Sequence, residues 1–142
     1  MPKTPAPRYV LIPFAREKSR HIVVVARLAG RPVRFVVDTG AGATCVDSGV
    51  LSRYQLKLSS NTRKGGGVGT STMRMTTLAA HDLGLGELDL SDVKLVALDL
   101  SHVNAGFERA KVEPIVGVLG ADVLGKRHAV IDYAKQVLLL RA

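Results

Sequence analysis

The stretch VRFVVDTGAGATCV (residues 33–46) constrains the chain more than any other. Its first five residues are β-branched or apolar apart from Arg34, the composition of a strand inside a sheet. The run then stops on Asp38 and breaks into Gly40 and Gly42. A carboxylate at the end of a buried strand costs several kcal/mol unless donors meet its oxygens. The two glycines let the backbone turn back so that amides can face Asp38, and the Thr39 hydroxyl can hold the loop. Local chemistry therefore suits a preorganised, ionisable carboxylate. It equally suits a turn aspartate that caps the following SGVLSRYQL segment, and alone it does not separate the two.

The rest of the chain supplies the frame. With 142 residues, 46% of them hydrophobic, it can bury one core, and it is short for an enzyme that must build both halves of a cleft. Aromatics are only 4% and Trp is absent, so Val, Leu, Ile and Ala must fill that core, a composition that leans toward strands. The net charge of +8 raises the question of nucleic acid or an anionic membrane as partner. The basic residues do not cluster, and stretches such as AREKSR and TRKGGG carry no interleaved aromatics for stacking bases. A solvated basic surface is expected, with no nucleic-acid or membrane partner. One cysteine, Cys45, leaves no internal disulfide and fits a reducing compartment. No apolar run approaches the roughly 18 residues that span a bilayer, and no leader opens the chain, so a cytoplasmic location is expected.

Residues 1–14 hold four of the six prolines and read as an extended arm ahead of a single domain over 15–142. HIVVVARL and VRFVVD form a hairpin over AGRP. Ser48 is the expected cap of a short helix through GVLSRYQL. The segment 61–75 packs four glycines into positions 65–69 between residues able to pair as strands, and LGLGELDLSDVKLVALDL suggests further strands. SHVNAGFERAKVEP (101–114) is polar and reads as loop. IVGVLGADVLGK reads as a strand running into a brief helix, and HAVIDYAKQVLLL as a closing hairpin. Short strands dominate, so the expected fold is mainly β, a small closed or sandwich-like barrel.

In that context FVVDTGAGATCVDSGVL resembles the active-site segment of the retropepsin-like aspartic proteases. The later IVGVLGADVL resembles their apolar-apolar-Gly segment ahead of a helix, and KGGGVG falls midway, where such proteases carry a flap. The resemblance runs over about residues 20–140. It implies a mainly β, single-domain closed barrel with one or two short helices, half of a two-fold symmetric dimer. It implies an aspartic endopeptidase without metal or cofactor, acting on a peptide or protein substrate. Asp38 would be the catalytic residue, Thr39 would lock two active-site loops together, and Gly40 would supply the tight turn and an amide. The family has Ala or Ser next, and Ala41 offers no hydroxyl. Gly65, Gly66, Gly67, Val68 and Gly69 would form the flap over the substrate. Gly117 and Gly120 are both candidates for the glycine packed beneath the active-site loop.

Such chemistry needs two carboxylates, and the chain has one Asp-Thr-Gly. Asp122 and Asp132 lack the loop that follows Asp38, so the second carboxylate is expected from Asp38 of another copy. The tail VLLLRA offers an edge that could pair across that axis. A catalytically silent module of the same fold, binding extended peptides or mediating dimerisation, is the alternative, and the intact Asp38-Thr39-Gly40 favours the enzyme. A basic nucleic-acid-binding barrel is a third and weaker option. His21, His81, His102 and His128 lack metal-ligand spacing, and no metal site is expected. Cys45 reads as a buried small hydrophobe. KGGGVGTS lacks the ending of a phosphate loop, and the length excludes the two-domain folds in which Asp-Thr-Gly binds phosphate.

Overall fold

The computed structural model describes residues 2–67 and 70–142, and of residues 61–67 and 70–75 only the backbone. The chain begins with β1 (Tyr9–Pro13), β2 (Ala15–Arg16), β3 (Ile22–Leu28), β4 (Arg31–Val37) and β5 (Cys45–Asp47). It continues through β6 (Leu58–Gly67), β7 (Thr70–Leu78), β8 (Gly84–Leu85), β9 (Leu88–Asp89) and β10 (Val96–Leu98). Helix α1 (Ser101–Arg109), β11 (Gly117–Leu119), α2 (Ala121–Lys126), β12 (Val130–Asp132) and β13 (Val137–Arg141) complete it. The architecture is mainly β, a curled sheet with two helices.

One sheet runs β6-β7-β10-β5-β11-β4-β3-β8-β9, with β2 added on β3. Most neighbours are antiparallel, but β10 lies parallel to β5, and β11 to β4, pairing Phe35 with Gly117, Val36 with Val118 and Val37 with Leu119. These two strands therefore end side by side. Both faces of this region are buried, which is why its strands read as unbroken apolar runs. Val24, Phe35, Val37, Val46 and Leu119 enter the main core, while Val23, Val36, Cys45 and Val118 enter a second cluster with Leu100, Phe107, Val112 and Ile115. The β3–β4 hairpin turns on Ala29 and Gly30, whose φ angles of 52° and 71° make a two-residue loop suited to the twist of the strands. Asp82 fixes it by accepting the Ala29 amide at 2.6 Å.

Several expectations are corrected here. Residues 9–13, expected in the arm, form β1, and Val10, Ile12 and Phe14 are core residues. Strand β13 lies between β1 and β12, so both its edges are hydrogen-bonded within the chain. The tail therefore has no free edge to offer a second copy. Leu138 and Leu140 of β13 are fully buried, which fixes the strand as a central one.

The expected loop at 101–114 contains α1. Phe107 buries its ring, and Asn104 clasps the Ile115 backbone, donating to its carbonyl at 3.0 Å and accepting its amide at 2.8 Å. Before the helix, Asp99 accepts the Ser101 amide at 2.9 Å, and hydrogen bonds from the Ser101 hydroxyl and amide hold its carboxyl below the usual range. The expected Ser48-capped helix is instead a single 3-10 turn, Ser48–Val50, capped by the Asp47 side chain. Among the described residues no helix is long and apolar enough to cross a membrane.

Candidate active site

The loop from Asp38 to Thr44 connects β4 to β5. Its first residue continues the β4–β11 pairing: the Asp38 amide donates to the Leu119 carbonyl at 3.0 Å. The chain then turns sharply, the Ala41 amide reaching the Asp38 carbonyl at 3.2 Å. That turn brings the Gly40 amide to 2.8 Å from Asp38 Oδ1. A Cβ on Gly40 would stand 3.3 Å from the same oxygen, so a side chain here would crowd the carboxylate it serves. Asp38, Thr39 and Gly40 are exposed, Ala41 is half-buried, and Thr44 is fully buried where the loop rejoins the sheet. A carboxylate at the end of a core strand is thus fixed through its own backbone while its side chain faces outward.

The segment after β11 forms the floor of this loop. A Cβ on Gly120 would lie 2.8 Å from the Ala41 carbonyl oxygen and from Ala43 carbonyl atoms. Only a residue without a side chain lets the loop settle this close. Gly117 is also closely packed, but against the Cys45 carbonyl and the Phe35 ring, within the sheet. Of the two glycines, Gly120 is the one in contact with the Asp38–Thr44 loop. Of the expected flap, Gly65, Gly66 and Gly67 end β6, which pairs with β7, and Val68 and Gly69 lie outside the described residues.

Two other carboxylates lie close enough to affect Cys45, and both are occupied. Asp47 is buried, and its Oδ1 accepts the Gly49 and Leu100 amides, each at 3.1 Å. Asp122 accepts the Thr44 amide on Oδ2 at 3.1 Å, and on Oδ1 the Thr44 hydroxyl at 2.7 Å and the Val123 amide at 2.9 Å. Burial pushes the Cys45 thiol up from its ordinary value, and Asp122, Asp38 and Asp47 add to the shift against a lowering hydrogen bond from Val118. Cys45 is therefore a packed, protonated core residue.

His81 is tied to the backbone, its Nε2 2.6 Å from the Val93 carbonyl and its Nδ1 accepting the Leu83 amide at 3.1 Å. His21 stacks edge-on against Phe107. A concavity of about 490 Å³ is lined by residues such as Leu11, Phe14, Val25 and Arg34, and includes none of the loop from Asp38 to Thr44.

Asp122 and Thr44 are the functional candidates that sequence reasoning missed. The only available signal was the Ala-Asp that follows Val118-Leu119-Gly120, and nothing in it points to Thr44.

The family model described as aspartyl protease matches residues 24–123. No curated protein matches the sequence. Among solved structures the chain is similar to a retropepsin-like aspartic protease from Rickettsia conorii, with a TM-score of 0.58 at 16% identity, covering 97% of this chain and 95% of that one. It is similar to the retroviral protease-like domain of Ddi1 from Leishmania major, with a TM-score of 0.53 at 14% identity, covering 84% and 87%. It is also similar to the EIAV protease complexed with the inhibitor HBY-793, with a TM-score of 0.50 at 14% identity, covering 78% and 90%. The family match contains the Asp38 loop, Gly120 and Asp122, and the structural likenesses span most of the fold. The chain belongs to the aspartyl protease family, and its fold is retropepsin-like.

Proposed function

We propose that the protein is an aspartic endopeptidase that hydrolyses peptide bonds as a homodimer, each copy giving one Asp38 to a shared site. The observation that carries this reading is the contrast among three neighbouring carboxylates. Asp47 and Asp122 are committed to backbone and hydroxyl partners, while Asp38 carries a single oriented amide on one oxygen. A lone exposed carboxylate cannot both activate water and polarise a carbonyl. Two of them, brought within a few Å by a two-fold axis, share one proton because both cannot ionise together.

In that state the ionised Asp38 takes a proton from water, which attacks the peptide carbonyl carbon. The protonated partner Asp38 donates to the carbonyl oxygen, giving a tetrahedral gem-diol; the first Asp38 then passes the proton taken from water to the nitrogen as the C–N bond breaks, and the partner Asp38 takes back a hydroxyl proton as the new carboxyl forms. Gly40 orients the carboxylate, and Thr39, exposed beside it, would lock the two active-site loops together. Gly65, Gly66, Gly67, Val68 and Gly69 would close over a substrate bound as an added extended strand. Gly120 supports the loop from below, and no cofactor is needed.

Cleavage profiling of a peptide library across pH, with Asp38→Asn protein as control, tests the proposal. Cleavage by the wild type and none by the variant supports it. Equal cleavage by both removes Asp38 from catalysis. A wild type that binds a statine-type transition-state mimic without cleaving any peptide supports the silent peptide-binding module instead.

A further inference from the structure

The Asp38 loop is held from below by more than the close packing of Gly120. Two backbone bonds join it to the end of β11 and the segment that follows, Asp38 N to the Leu119 carbonyl at 3.0 Å and Ala121 N to the Ala41 carbonyl at 2.7 Å. The remaining ties pass through one side-chain pair. The Thr44 hydroxyl accepts the Gly120 amide at 3.0 Å and donates to Asp122 Oδ1 at 2.7 Å, while Asp122 Oδ2 accepts the Thr44 amide at 3.1 Å. Thr44 has no exposed surface, and Asp122 accepts from both of its donors. A buried donor left unpaired costs about 1–3 kcal/mol, and the backbone would move to avoid that cost.

We propose that Asp122, acting through Thr44, is a positioning residue that holds the loop at the height at which its Asp38 meets the partner copy's Asp38. The inference rests on the proposed catalytic role of Asp38. A carboxylate suits the position because both its oxygens must accept from Thr44. An amide offers one acceptor there, and the Thr44 hydroxyl proton or amide loses its partner. Asp122 itself touches no reacting atom, and the account requires none.

The effect would be read in the geometry of the pair. A loop released from Asp122 lets the two carboxyls spread, which lowers turnover because a displacement near 1 Å costs on the order of 100-fold. It also weakens the coupling that separates the two titrations of the pair, so the plateau of the pH–rate profile narrows.

The test compares Asp122→Ala, Asp122→Asn, Thr44→Val and Thr44→Ser with wild type and Asp38→Asn, measuring kcat, KM, the width of the pH profile and the thermal unfolding midpoint. Asp122→Ala and Thr44→Val should lose roughly 10- to 100-fold in kcat with KM nearly unchanged and a narrower profile. Asp122→Asn should lose about tenfold, and Thr44→Ser, which keeps the hydroxyl, should match wild type. If the two deletions do not fold, the conservative variants decide: wild-type kcat and profile width in Asp122→Asn overturn the proposal. If Asp38→Asn is dead while Asp122→Ala keeps wild-type kcat and width, only the positioning role fails. If Asp38→Asn cleaves like wild type, the catalytic reading fails and the positioning role with it.

Discussion

Strands β4 and β11 run parallel, and they end level with each other at Val37 and Leu119, yet the carboxylates that follow them are held differently. After β4 the chain turns on Gly40 and leaves Asp38 exposed, with one amide on Oδ1. After β11 it passes through Gly120 into α2, and the Asp122 carboxylate accepts three hydrogen bonds, two of them from Thr44. The comparison separates two uses of one residue type. A carboxylate with both oxygens engaged is a structural tie, whereas one oriented through a single backbone amide keeps lone pairs for water and substrate.

The sharpest way to break this contrast is Asp38→Asn. The amide keeps the size of the side chain and can still accept from Gly40, so the unfolding midpoint should stay level or rise as repulsion between copies is lost. Turnover should fall by about three orders of magnitude or more, because an amide neither takes the proton from water nor shares one with its twin. Peptide cleavage and thermal unfolding on the same preparation check both halves.

The two glycines of the β11 segment sharpen it next. Gly117→Ala and Gly120→Ala each force a Cβ to within 3 Å of backbone atoms, and each should destabilise the fold by about 1–3 kcal/mol. Only Gly120→Ala displaces the carbonyls of Ala41 and Ala43, so it should also lower kcat per folded molecule by about tenfold or more. Gly117→Ala should leave that value near wild type. Denaturant titration beside kinetics on the folded fraction distinguishes them.

The pH dependence gives a smaller effect. Turnover should be greatest at mildly acidic pH and fall as rising pH removes the shared proton. Statine-type mimics should bind most tightly in the same range. A chelator-sensitive activity with an alkaline optimum would contradict a carboxylate pair. The smallest effect concerns Cys45, on β5 beside Val118 of β11. Its folded value lies above the ordinary 9.0, so its contribution to stability is complete below 9.0 and is lost as pH rises beyond it. Stability should decline from there upward, less steeply in Cys45→Ala, and the native thiol should react slowly with alkylating reagents until the protein unfolds.

Legibility in the sequence followed the range of each interaction. The strand run into Asp38-Thr39-Gly40 is local, so the loop could be read from residues 33–46 alone. The short strands and the closing hairpin were legible for the same reason. Strand β1 was not, because Val10-Leu11-Ile12 is apolar on both faces and prolines flank it, which hides the alternation that burial imposes. Helix α1 was not, because it buries only Phe107 and depends on the Asn104 clasp to Ile115. Asp122 was the hardest to read, since its partner Thr44 is 78 residues away and the pairing of β11 with β5 brings them together. The central place of β13 likewise depends on β1, at the opposite end of the chain.

The central claim is that one site needs two copies of Asp38, and a mixing experiment tests it most directly. Wild-type protein at a fixed concentration is allowed to exchange subunits with increasing Asp38→Asn protein, and cleavage of a peptide substrate is measured after equilibration. The account predicts that activity per wild-type chain falls in proportion to the wild-type fraction and approaches zero in excess variant, because each mixed dimer holds one carboxylate. Activity that stays constant per wild-type chain, whatever the amount of folded variant added, would contradict it.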